Sequence, residues 1–99
     1  MPLFLINARD KADSLDLRLA NRDAHLAWAG AFADRIAMAG PVLVGADGTM
    51  AGSTFVISFD TLAQAEAWAA DDPYAKAGLF ERTEIIEFKW LIGTGPANG

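Results

Sequence analysis

The sequence contains no cysteine and a single histidine. The first absence excludes disulfides, thiolate nucleophiles and cysteine-based metal sites. The second excludes a multi-histidine centre within one chain. Lysine and arginine number 8 against 13 acidic residues, giving a net charge of -5. A chain of that balance, with no Lys/Arg cluster, lacks the electrostatic footprint of a nucleic-acid binder and is a poor match for anionic membranes. No apolar run approaches the ~18 residues of a membrane span. The N-terminal run Leu3-Phe4-Leu5-Ile6 is too short for a signal-peptide core and is followed by Arg9 and Asp10. A chain without cysteine fits the reducing cytoplasm, which is the expected location. Neither a nucleic-acid partner nor a membrane is expected.

What is present is 99 residues, 53% of them apolar and many of those alanine. The length bounds the chain to one domain with one modest core. Apolar surface beyond the needs of that core points to contact between subunits. The expected division is a domain over residues 1–92 and a flexible tail over 93–99.

Leu3 to Ile6 has strand composition, and its continuous apolarity suggests burial on both faces. Asn7 to Asp13 reads as a loop. From Ser14 to Ala39 the spacing is helical, with Ser14 as one cap and Asn21 as a second, so that a short helix precedes a longer one. His25, Trp28, Ala29, Phe32 and Ile36 form the stripe of the longer part. Gly40-Pro41 reads as its stop. Val42-Leu43-Val44 is a short strand, and Gly45-Ala46-Asp47-Gly48 supplies hairpin-turn chemistry.

Ser53 to Phe59 alternates cleanly as a strand. Asp60-Thr61 opens a second helix, with Leu62, Ala65, Trp68 and Ala69 inward, and Asp71-Asp72-Pro73 ends it. Tyr74 to Phe80 is a helical turn or loop. Glu84 to Ile92 is the last strand, with Ile86, Phe88 and Trp90 alternating against Glu87 and Lys89. The order β-α-β-β-α-β is the α+β ferredoxin-like arrangement: a four-stranded antiparallel sheet with two helices on one face, first and third strands central. The other face is too apolar to stand in water, so a second copy is expected to cover it in a two-fold dimer.

His25, with an unperturbed pKa near 6.5, is the one side chain suited to proton exchange at neutral pH. Both it and Asp72 fall on inward stripes, where each could serve as the other's partner. A core histidine with one satisfied bond, and an aspartate acting only as a turn cap, are the structural alternatives. As a functional pair, Asp72 would orient one imidazole nitrogen and leave the other for substrate. Arg22, one turn before His25, could bind an anionic group or simply face solvent. Tyr74 could donate its hydroxyl to a ligand or pack its ring. Ser53 is a further candidate contact at the start of the third strand. Trp28, Trp68, Phe32 and Trp90 read as core. One histidine and one aspartate are too few for a metal site, and no glycine-rich phosphate loop is present.

Arg22-x-x-His25-Leu26, then Ala39-Gly40-Pro41, then Gly52-Ser53, Asp72-Pro73-Tyr74 and Ala77-Gly78-Leu79 together resemble the YCII-related family. The resemblance runs from Leu3 to Trp90. It implies a dimeric α/β barrel in which two ferredoxin-like sheets face each other, and an active site of His25 and Asp72. Members with a proposed reaction are small lyase, isomerase or dehydrochlorinase-type enzymes acting on aromatic breakdown products. The resulting expectation is a cofactor-independent acid–base enzyme for a small aromatic or anionic metabolite. Its rival is a dimeric module that binds such a ligand without converting it.

Overall fold

A computed structural model describes residues 1–94 of the chain. Most of the expected tail, residues 95–99, lies outside the described residues. The elements are β1 (Leu3–Asp10), α1 (Leu15–Ala20), α2 (Arg22–Gly30), β2 (Ile36–Val44), β3 (Thr49–Ser58), α3 (Leu62–Ala70), α4 (Pro73–Lys76) and β4 (Phe80–Phe88). The sheet runs β2-β3-β1-β4 with every neighbouring pair antiparallel. Strands β1 and β3 are therefore central, as the ferredoxin-like order requires.

Local chemistry explains most of the boundaries. Thr61 caps α3 by accepting from the Gln64 backbone N–H, while the Gln64 side chain reaches back to the Thr61 N–H, a reciprocal capping box. Asn21 separates α1 from α2. The β2–β3 turn needs a left-handed backbone at Gly45 and Gly48, with φ of 73° and 69°.

Several boundaries differ from the sequence expectation: β1 runs on through Asn7 to Asp10, where a loop was expected, and β3 begins at Thr49 rather than Ser53, because β1 and β3 pair as far as Arg9 and Gly52 and β2 pairs on to Thr49. Two larger differences concern β2 and β4. The helical pattern does not run to Ala39; α2 ends at Gly30, and Ile36 to Gly40 belong to β2. Register explains this, because Ile36 pairs with Ile57 and Ala39 with Phe55, and long-range pairing outweighs the helix propensity of alanine. Gly40-Pro41 is consequently inside a strand rather than a stop. Proline is tolerated there because β2 is an edge strand, with no partner on one side among the described residues. The last strand is also displaced, spanning Phe80–Phe88 rather than 84–92. It ends where β1 begins: Phe88 lies opposite Leu3, the first residue of β1, and no further residue of β1 is available to pair.

Phe4, Ile6, Phe55 and Ile57 share the helix-facing side of the sheet and pack with Ala65 and Trp68 into the core. Trp28 stacks on Trp68 at 4.1 Å between ring centres, and Phe55 meets Trp68 edge-on at 5.1 Å. The register sends Leu3, Leu5, Val56, Met38, Ile86 and Phe88 to the opposite face. There Met38, Ile86 and Phe88 remain exposed. No helix of the described residues is long and apolar enough to cross a membrane.

Candidate functional site

The helix α2 lies over β3, and this sets His25 against the sheet. Its ring centre lies 5.9 Å from that of Phe55 and 5.6 Å from that of Trp28. Asp72 reaches the same place from the other side of the chain's second half, at the junction of α3 and α4. The two meet: His25 Nδ1 lies 2.8 Å from Asp72 Oδ1, both side chains buried. The same Asp72 Oδ1 accepts the Tyr74 backbone N–H at 2.9 Å, capping α4, with Pro73 at the first helical position. The turn-cap reading and the pairing reading of Asp72 are thus both met by one oxygen. A carboxylate only accepts, so the contact calls for a hydrogen on Nδ1, and in the neutral imidazole that tautomer leaves Nε2 with its lone pair.

Four of the five expected residues, Arg22, His25, Ser53 and Tyr74, line one open cavity of about 140 Å³. Asp72 stands behind His25 rather than in the lining. The remaining walls come from α1 through Arg18, from α2 through Leu26 and Ala29, from β2 through Ala39, Gly40 and Pro41, and from β3 through Met50 and Phe55. The exposed Arg22 carries no ion pair among the described residues. Tyr74 is buried, and its ring stacks on the His25 imidazole at 4.0 Å with 16° between planes.

Sequence reasoning missed Arg18 and Asp10. Arg18, on α1, is 2% exposed. It grips Asp10, at the end of β1, with Nε to Oδ2 at 2.7 Å and Nη2 to Oδ1 at 3.0 Å. Nη2 also donates to Ser53 Oγ at 2.9 Å, and the guanidinium carbon sits 4.5 Å from the centre of the Tyr74 ring. Arg18 stands four residues before Arg22 and seven before His25, a helical spacing that was the one available signal. A buried arginine is rare without a partner, and nothing in the sequence marks Asp10 as that partner.

The electrostatics follow from these contacts. Burial is the largest influence on Arg18 and disfavours its charge, but the hydrogen bond and charge of Asp10, helped by Tyr74, outweigh it and leave its pKa raised. Burial raises the Tyr74 phenol above its usual value, against the opposing pull of Arg18 and Arg22. Tyr74 is therefore a neutral hydroxyl at physiological pH. Among the described residues no group of three or more His, Asp or Glu side chains converges to hold a metal ion.

Residues 2–89 match the YCII-related domain. Protein YciI of Escherichia coli is 43% identical over 95 residues, covering 88% of this chain and 96% of that one. An uncharacterized protein of Haemophilus influenzae is 33% identical over 93 residues, covering 87% and 95%. Among solved structures, the 5-chloro-2-hydroxyhydroquinone dehydrochlorinase TftG of Burkholderia phenoliruptrix, in complex with 2,5-dihydroxybenzoquinone, superposes with a TM-score of 0.83 at 33% identity. That match covers 92% of this chain and 95% of TftG. A NIPSNAP-domain protein of Burkholderia xenovorans superposes over 92% of this chain and 95% of its own at a TM-score of 0.54 and 20% identity, which shows the shared fold alone.

The chain's only tyrosine makes its titration site-specific. Absorbance near 295 nm should show tyrosinate forming with a midpoint above the usual value near 10. Because the folded pKa is raised, the stabilisation from the protonated phenol is complete below the unfolded value and is lost as pH rises through the folded one. A midpoint at or below the usual value would contradict the burial of Tyr74.

Proposed function

The chain belongs to the YCII-related family, and we propose that it is a cofactor-independent acid–base enzyme acting on a small oxygenated ring. In this reading His25 moves the proton at Nε2, and Asp72 holds the ring by Nδ1 and stabilises the imidazolium formed on proton uptake. The observation that carries the proposal is the 2.8 Å His25–Asp72 contact at the wall of an open cavity of about 140 Å³. An engineered cavity of ~150 Å³ holds one benzene, so a single ring is the right size of ligand. Leu26, Phe55 and Pro41 offer it apolar wall, and Arg22 attracts an oxyanion. Tyr74 and Ser53 add hydroxyls.

Elimination suits these groups. Nε2 takes a proton from the substrate; the freed electron pair forms the new double bond; the leaving group departs with its bonding pair. No electron acceptor is needed. The dehydrochlorinase activity of TftG, a relative at 33% identity, supports this class of reaction for the present chain.

The working unit in this proposal is a homodimer formed through the outer sheet face. Its support is the apolar set Leu3, Leu5, Val56, Met38, Ile86 and Phe88, which the register brings together away from the helices. Static light scattering should give twice the 10.5 kDa of one chain at micromolar concentration. Ile86→Asp should shift the mass toward one chain by placing an unpaired charge in the joint. A monomeric wild type would remove the dimer from the account.

A panel of chlorinated and hydroxylated single-ring quinols tests the chemistry. His25→Ala should lower turnover by ~10²–10⁴. Its affinity for 2,5-dihydroxybenzoquinone should stay within about threefold, less than the tenfold that 1.4 kcal/mol represents. Unchanged turnover in the variant would refute the role of His25. A wild type that binds the quinone but turns over nothing on the panel would mark a ligand-binding module instead.

A further inference from the structure

Arg18 is a buried cation in the wall of the cavity, and the proton transfer by His25 leaves it without a task. Its guanidinium is held at several points: two bonds to Asp10, one to Ser53 Oγ, and a face against the Tyr74 ring. A buried ion pair is a weak device for stability, since desolvation of both charges offsets much of their attraction. Its effect on Ser53 is specific. A serine hydroxyl has one hydrogen and two lone pairs. The Nη2–H occupies a lone pair, so the serine hydrogen must point away from Arg18. No acceptor for it exists among the described residues, although Ser53 is 3% exposed and lines the cavity. The result is a buried donor, turned away from Arg18, with no acceptor among the described residues.

We propose that Arg18 is a positioning residue that makes the Ser53 hydroxyl an obligate donor, so that the cavity selects rings presenting an acceptor oxygen, carbonyl or oxyanion, to β3. The inference rests on the cavity being the substrate site, but not on His25 being catalytic. Arg18 acts through Ser53: its own charge is matched by Asp10, and attraction of an anion from solution falls to the exposed Arg22. A ring bearing only N–H groups at that position would leave the Ser53 donor unmet, which disfavours it.

The test is a binding cycle read by calorimetry with 2,5-dihydroxybenzoquinone, whose oxygens are carbonyls and acidic hydroxyls. Ser53→Ala should weaken binding ~10-fold, the scale of one lost hydrogen bond to a polar or charged group. The double variant Asp10→Asn/Arg18→Met removes both buried charges together and should show a similar loss. Adding Ser53→Ala to it should cause less than a further ~twofold change, because the two routes end at one hydroxyl. A merely structural role for Arg18 would not produce that non-additivity. Should the double variant fail to fold, Arg18→Lys takes its place: it keeps the charge beside Asp10 but cannot span Asp10 and Ser53 with one planar fork. Wild-type affinity in the Arg18 variants, or losses that multiply with that of Ser53→Ala, would overturn the inference. Loss of turnover in His25→Ala alongside either result would leave the acid–base reading standing. Absence of quinone binding by the wild type would overturn both.

Discussion

The bond between His25 Nδ1 and Asp72 Oδ1 joins the first helical layer to the start of α4, and the site is arranged around it. Two polar side chains deep in a small domain each need a partner, because an unmet buried polar group destabilises by ~1–3 kcal/mol. Here they supply one another. The chain's backbone enters the same arrangement, since the Asp72 oxygen that meets the imidazole also caps α4 at the Tyr74 N–H. The Tyr74 ring, carried on that turn, then stacks on the imidazole. Orientation of the base is therefore tied to the fold of the turn: displacing α4 would move the aspartate and the stacked ring together.

Arg18 and Asp10 repeat this logic a few ångströms away. An aromatic core of Trp28, Trp68, Phe55 and Phe4 under two helices supplies the burial that holds the layers together. Against it, four polar or charged side chains are buried among the described residues: Arg18, His25, Ser53 and Asp72. All four are connected directly or through Tyr74, and all lie on the side where the cavity opens. Such networks contribute little net stability but fix geometry, and a fully satisfied one is rigid. The Ser53 hydroxyl, which has no acceptor among the described residues and lines the cavity, is where a ligand has something to add.

The topology was legible in the sequence because it rests on local signals: the alternation of Phe55, Ile57 and Phe59, the turn at Gly45 to Gly48, the Thr61–Gln64 cap and the Pro73 break. The His25–Asp72 contact was legible because each residue sits at the core-facing end of an element that those signals locate. Strand β2 was misread, since Ile36 falls on the helical stripe of Phe32 and Trp28 and the intervening alanines favour neither state. Only the pairing with β3, a long-range fact, decides it. Strand β4 was shifted for a similar reason: its end is set by where β1 begins, at the opposite end of the sequence from any cue near Trp90. Arg18 was passed over because a charged residue on a helix is ordinarily solvated, and its burial depends on an acid at the far end of another element.

One histidine per chain allows the central claim to be tested without assignment. Nitrogen-15 NMR of the imidazole at neutral pH, in protein labelled at histidine, reports which ring nitrogen carries the proton. For the neutral ring the expected result is a single dominant tautomer with Nδ1 protonated, a downfield Nδ1 proton held by Asp72, and Nε2 bare. In Asp72→Asn the preference should weaken or invert, as the amide can present either a donor or an acceptor to the ring. A wild-type ring protonated at Nε2, or averaging freely between tautomers, would contradict the arrangement on which the proposed chemistry depends.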